Sequence, residues 1–238
     1  MLKRVLSSLA LAALAALSLS AAQSTGGGGI LPRVDHLVYA TPDLQAGIDA
    51  IEKIVGVRAT SGGQHPGLGT RNALVGLGAA TYLEIIGPDP EQPKPSGPRR
   101  FGIDELRSPR LLTWVAKGTD LESLFARARQ NGIPLGAVTP GSRRRPDGVV
   151  LSWRYTDPNA VIADRLVPYF IDWGNSPHPA ATAAKGATLV GLRAEHPDAG
   201  PVGKMLTQLG LDLPVTAGPK ASLVATIAGP KGRVELRN

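Results

Sequence analysis

Val34-Asp35-His36-Leu37-Val38-Tyr39-Ala40 opens a block that runs to Pro90 and closes on Thr81-Tyr82-Leu83-Glu84-Ile85-Ile86. The first run alternates as a strand does, and the last is an apolar, β-branched strand interrupted by one acid. An acid inside a strand is costly unless it faces water, a partner or a metal. His36 and Glu84 therefore read as two inward-pointing groups of one site. Between them Thr41-Pro42-Asp43 starts a helix, with Thr41 as its expected cap, Leu44, Ile48, Ile51 and Val55 at helical spacing, and Gly56 as its stop. Gly62 to Asn72 is a glycine-dense turn that carries His65 and Arg71 and leads into a strand at Asn72-Ala73-Leu74-Val75. It is no phosphate loop, because no Gly-Lys-Ser/Thr follows it.

The same syntax returns twice. Leu111 to Lys117 reads as a strand, followed by a capping box at Thr119-Asp120-Leu121-Glu122, a stripe of Leu121, Leu124, Phe125 and Ala128, and a stop at Gly132. Thr188 to Ala194 opens a third copy, with His196-Pro197-Asp198 before Val202, Met205, Leu206 and Leu209, and a stop at Gly210. The three glycines recur at near-equal intervals, as internal repeats do. Each copy also ends on a strand with an acid in the matching place, namely Glu84, Asp172 and Glu235. The expectation is one continuous α+β assembly of three βαβ-containing modules, about 33–90, 110–174 and 187–238, the third shorter. The Pro-rich linkers 87–108 and 174–186 are too short to make independent domains.

This order of strand, helix, strand, glycine turn and acid-bearing strand resembles the βαβββ module of the vicinal-oxygen-chelate superfamily. More narrowly, three segments look like the glyoxalase-like domain family: Val34 to Tyr39, the His65-to-Asn72 turn with Tyr82 to Pro90 after it, and Pro168-Tyr169-Phe170-Ile171-Asp172-Trp173-Gly174. The resemblance covers roughly residues 33 to 237. It implies paired modules that roll a curved, cup-like mixed sheet with helices on its outer face. It implies as well a divalent metal (Fe, Mn, Ni or Zn) held inside by residues from the first and fourth strands of each module.

Carried over by position, the metal ligands are His36, Glu84 and Asp172, with Thr113 at a position where the superfamily places a ligand. If the third module replaced the second, Gly191 and Glu235 would take those places, and Gly191 has no donor. A terminal strand three residues from Asn238 is a poor place to fix a catalytic group, so Asp172 rather than Glu235 is expected to face His36 and Glu84. The alternative is metal-free: His36 hydrogen-bonded to one of the acids, satisfying both. His65 would act as general acid or base together with Glu84, Arg71 or Asn72 would position a polar substrate, and Tyr169 and Trp173 would wall the pocket. His178 sits in a Pro-rich loop and reads as exposed.

Composition narrows the surroundings. The 238 residues include no cysteine, which excludes disulfides and thiolate metal sites, and aromatics make up only 4%, so aliphatic side chains build the core. Residues 1–22 carry Lys3 and Arg4, an apolar run from Leu9 to Leu17, and small residues ending at Ala22: a secretory signal peptide. The run is short for a membrane anchor and is followed by a glycine-rich tether, 23–32. The mature chain is therefore expected to be exported, periplasmic or extracellular, without a membrane anchor.

A net charge of +7 invites a nucleic-acid reading. The dense basic clusters, Arg143-Arg144-Arg145 and Arg99-Arg100, carry no interleaved aromatics, and solvated loops account for them better. No serine-hydrolase elbow, Walker loop or dinucleotide fingerprint is present. Two functions remain: an enzyme of lyase, isomerase or oxygenase type acting on a small oxygen-bearing molecule, or a non-catalytic protein that sequesters one. Superfamily members commonly pair modules between chains, so a homodimer is a further expectation.

Overall fold

The computed structural model describes residues 29–238. The expected leader, 1–22, and residues 23–28 of the tether lie outside them. The tether ends sooner than its composition implies. Ile30 is buried in the core and Leu31–Arg33 forms a 3-10 turn, so the folded body begins before residue 33.

Eight strands close into a barrel. The first half is β1 (Val34–Ala40), helix α1 (Leu44–Val55), β2 (Thr60–His65), β3 (Thr70–Gly78) and β4 (Thr81–Pro88). The second is β5 (Arg110–Lys117), helix α2 (Leu121–Gln130), β6 (Thr139–Arg144), β7 (Val150–Tyr155) and β8 (Tyr169–Asp172). Around the barrel the order is β1-β4-β3-β2-β6-β7-β8-β5. One seam is long, with β1 and β5 antiparallel from Val34 opposite Ala116 to Ala40 opposite Arg110. The other is a single pairing of Gln64 with Arg144. The architecture is α+β with a curved mixed sheet, as expected of the superfamily.

Both faces of β4 are buried, which explains its unbroken apolar reading. Leu83 and Ile85 point outward into the main core, while Tyr82, Glu84 and Ile86 point into the barrel. Helix α1 starts at Asp43, whose carboxylate accepts from Ala46 N at 3.0 Å. The capping role expected of Thr41 belongs to this aspartate, because Thr41 is buried and turned onto the Asp43 backbone. Helix α2 likewise starts with Asp120 accepting from Ser123 N. Gly56 ends α1 at φ 86°, a conformation that costs other residues about 1 kcal/mol or more.

The third segment departs from the repeat. It runs β9 (Thr188–His196), helix α3 (Ala199–Gln208), β10 (Val215–Ala217), β11 (Ser222–Gly229) and β12 (Gly232–Arg237), in a separate sheet ordered β10-β9-β11-β12. Its post-helix strand β10 lies directly beside β9, whereas β2 and β6 lie at the far side of their modules from β1 and β5. The shared strand-helix-glycine pattern therefore marks a common opening, not a third copy of the barrel half. Leu192, Leu223, Ile227 and Leu236 join the core that also holds Ile51, Val55 and Trp114, so this sheet covers the outside of the barrel. Its edges are blunted, since β10 has three residues and β12 alternates Arg233, Glu235 and Arg237.

Candidate functional site

The barrel encloses a cavity of about 500 Å³. Glu84, on β4, is the only carboxylate that lines it among the described residues, and it is 6% exposed. Asn72, on the neighbouring β3, donates from Nδ2 to Glu84 Oε1 at 2.5 Å. The same amide nitrogen lies 3.4 Å from His65 Nε2. A carboxylate cannot donate, so it fixes the amide's orientation, and the second amide hydrogen then points at a ring nitrogen that must accept. His65 therefore carries its proton on Nδ1 and donates to Thr70 Oγ1 at 3.0 Å.

His36 is set the same way from the other side. Its Nδ1 donates to Asp35 Oδ1 at 2.7 Å, which leaves Nε2 as the acceptor, 3.3 Å from the Tyr169 hydroxyl. Nε2 of His36 lies 3.8 Å from Glu84 Oε2, and Nε2 of His65 lies 3.7 Å from Glu84 Oε1. Three proton acceptors thus converge inside the barrel: one carboxylate flanked by two imidazole nitrogens.

The environment sets their charge. Burial lowers the His65 pKa to about 4, against the opposing pull of Glu84 and with help from Arg143 and Arg100, so the ring is neutral near pH 7. Burial would raise Asp35, but hydrogen bonds from His178 and His36 outweigh it and lower its pKa to about 2. Burial, reinforced by Glu84 among others, pushes the Tyr82 and Tyr169 hydroxyls well above the usual phenol range, which keeps both protonated.

Sequence reasoning missed several of these groups. Asp35 is 1% exposed and also accepts from Trp173 Nε1 at 3.1 Å and from His178 Nε2 at 3.2 Å. His178 is therefore no exposed loop residue: the 174–186 linker folds over the barrel end and pins it to β1, with Ala180 and Ala183 buried against Leu74 and Tyr82. Arg143, taken for part of a solvated cluster, is 3% exposed and lines the cavity from β6, donating to the Gly62 carbonyl. Arg100 lines it too, lying over the Tyr155 ring and donating to its hydroxyl at 2.5 Å. Phe101 holds a left-handed backbone at φ 65° and stacks on Tyr169, so the 87–108 linker supplies part of the cavity wall. No periodicity marks 87–108 or 139–144, because the first is irregular and Pro140 and Gly141 disguise the second as a loop.

Of the residues expected from the resemblance, His36, His65, Asn72, Glu84, Tyr169 and Trp173 all line the cavity. Asp172 does not. On β8 the inward positions are Tyr169 and Ile171, with Trp173 after them, so Asp172 and Phe170 point out of the barrel. The Asp172 carboxylate instead accepts from Gly174 N at 2.9 Å. Glu235 lies on β12 of the separate four-stranded sheet and pairs with Arg193 and Arg237. Arg71 points out of the barrel into a surface groove, where it meets Glu91 at 3.5 Å. Thr113 donates to the Arg165 carbonyl at 2.9 Å.

Strand register identifies which second-half residues correspond to the first-half donors. Parallel pairing puts His36 beside Tyr82 and Val115 beside Tyr169, so Val115 and Ile171 occupy the second-half positions of His36 and Glu84. Both are apolar. The two-module metal set is half absent, and no group of three His, Asp or Glu among the described residues is arranged to hold a metal ion. The donor set does not fit the divalent metal that the resemblance implies.

A family model described as the glyoxalase-like domain matches residues 34–210. The chain belongs to the glyoxalase-like domain family. No curated protein matches it. Among solved structures, a hypothetical protein from Staphylococcus aureus is 14% identical over 86% of this chain and 84% of that one, with a TM-score of 0.53. A methylmalonyl-CoA epimerase from Mycobacterium tuberculosis is 18% identical over 67% and 98%, with a TM-score of 0.41. A Streptomyces coelicolor methylmalonyl-CoA epimerase is 18% identical over 58% and 95%, with a TM-score of 0.40. The first of these likenesses concerns the fold alone.

Proposed function

We propose that this glyoxalase-like protein is an acid–base enzyme of the lyase or isomerase type, which removes a proton from carbon beside a carbonyl in a small oxygen-bearing molecule. The observation that carries the reading is the lone cavity carboxylate, Glu84, set between the acceptor nitrogens of His36 and His65. Glu84 takes the proton from carbon. The departing electron pair moves onto the carbonyl oxygen, where the Tyr169 hydroxyl donates to the developing oxyanion. Once the Tyr169 hydroxyl turns to the oxyanion, Nε2 of His36 is free to take the proton held on Glu84 and keep it at hand for return to carbon or to a leaving group, while Nε2 of His65 stays occupied by the Asn72 amide. The aromatic wall of Trp153, Tyr155 and Trp173 excludes water from the carbanion. The mature protein works outside the cytoplasm, a reading supported by the leader-like residues 1–22.

Hydrogen exchange tests the chemistry. In D2O, proton NMR of a panel of ketones, 2-oxo acids and thioesters is expected to show enzyme-dependent loss of an α-proton signal. Glu84→Gln should slow that loss by about 100-fold or more. If no member exchanges faster with protein than without, the second reading takes over: a binder of small molecules, favoured by the apolar wall of Ile171, Trp153 and Trp173.

A further inference from the structure

Arg143 is almost wholly withdrawn from water and has no carboxylate partner among the described residues; its one recorded hydrogen bond goes to the Gly62 carbonyl. Arg100 also faces the cavity, has no acidic partner among the described residues and rests on the Tyr155 ring. Removing a guanidinium from water costs several kcal/mol unless an anion returns part of it. Asp35 is held behind His36 and does not line the cavity, so the lining itself sets two arginines against one acid, Glu84. The cavity therefore carries one net positive charge beside its base. Glu84 must stay ionised to accept a proton, so a ligand with a single negative charge restores neutrality, whereas a dianionic phosphate overshoots it.

We infer that the substrate is a carboxylate-bearing acid, its carboxylate held by Arg143 and Arg100 and its flat apolar part laid against Trp153, Trp173 and Phe101. This rests on the proton-transfer reading only in taking the cavity as the substrate site. A guanidinium also suits the chemistry around it: it binds a carboxylate through paired hydrogen bonds and stabilises negative charge spreading from the adjacent carbon. Since both arginines come from outside the segments that supply Glu84, His36 and His65, recognition of the acid group and removal of the proton are separable by mutation.

Calorimetric titration of the whole mature chain with benzoylformate, its methyl ester and phenyl phosphate tests the assignment, with tryptophan fluorescence as a second signal. Benzoylformate is expected to bind at least about tenfold more tightly than the ester. Arg143→Met and Arg100→Met should each weaken benzoylformate about tenfold or more while leaving the ester unchanged. Arg100 is the safer variant should Arg143→Met fail to fold, and Arg143→Lys should retain part of the preference. Equal affinity for acid and ester, tighter binding of phenyl phosphate, or no binding of any probe at millimolar concentration overturns the inference. Glu84→Gln separates it from the catalytic reading, because that variant should bind benzoylformate at least as tightly as the wild type whether or not hydrogen exchange is observed.

Discussion

The Asp35 carboxylate holds His36 by a 2.7 Å hydrogen bond at Nδ1 and so decides which nitrogen of that ring faces Glu84. Replacing the acid by an amide of the same shape removes this control, because an amide can donate to or accept from Nδ1. Asp35→Asn is expected to reduce proton-exchange activity by about 10- to 100-fold. It should also lower stability in urea by about 3 kcal/mol, since His178 and Trp173 lose the same charged acceptor. A variant with wild-type exchange rates would show that the His36 tautomer does not matter.

Acid should destabilise the fold from just below neutrality. Burial holds the pKa of His65 at about 4 in the folded chain against an ordinary 6.5, with Glu84 and Asp89 opposing the shift and Arg143 and Arg100 adding to it. Between those values the unfolded chain binds more protons than the folded one, so stability falls as pH drops from 6.5 to 4. Asp35 adds a second loss lower down, between 3.8 and about 2. One proton's difference amounts to at most about 1.4 kcal/mol per pH unit. Thermal unfolding between pH 4 and 7 should show the slope, and His65→Gln should flatten it; an unchanged slope would remove His65 as the cause.

Gly62 tests the scaffold under the base. A Cβ there would run into Oδ1 of Asn72, the amide that spans Glu84 and His65. Gly62→Ala should cost about 1–3 kcal/mol of stability while reducing exchange activity by about tenfold or more. Asn72→Asp should be worse, because it sets a second carboxylate against Glu84. The check is urea denaturation alongside exchange kinetics, and a Gly62→Ala protein as active as wild type would show that the amide need not stay in place.

Chelation should change little. With Val115 and Ile171 where the second half would offer donors, incubation with EDTA and gel filtration should leave the melting temperature within about 1 °C and exchange rates unaltered. A fall of several degrees, restored by one divalent ion, would mean that His36, His65 and Glu84 hold a metal by themselves.

The first half of the barrel was legible because its signals are local. Alternation in β1, an acid in the apolar β4 and a glycine stop after α1 each follow from a few neighbouring residues, and His36, Glu84, His65 and Asn72 came with them. The second half was misread by one residue on β8. Asp172 looks like the counterpart of Glu84 when the closing strands are matched by the acid each carries, yet the pairing of Val115 with Tyr169 puts Ile171 there, and a shift of one position exchanges the faces of a strand. Arg143 and Asp35 were overlooked for another reason. A basic triplet beside proline and glycine has the composition of a solvated turn, and only the closure of β6 against β2 shows that one of its three side chains is sealed inside.

Because the two barrel halves lie in one chain, they are free to diverge. Two identical subunits closing such a barrel would be obliged to offer every group twice, whereas here the carboxylate and both imidazoles come from 34–84 and most of the surrounding wall from 140–173. Drift in the wall can alter which molecule is admitted while the chemistry stays in place. Members of one lineage could then share a reaction and differ in diet, with the divergence concentrated in β6, β7 and β8.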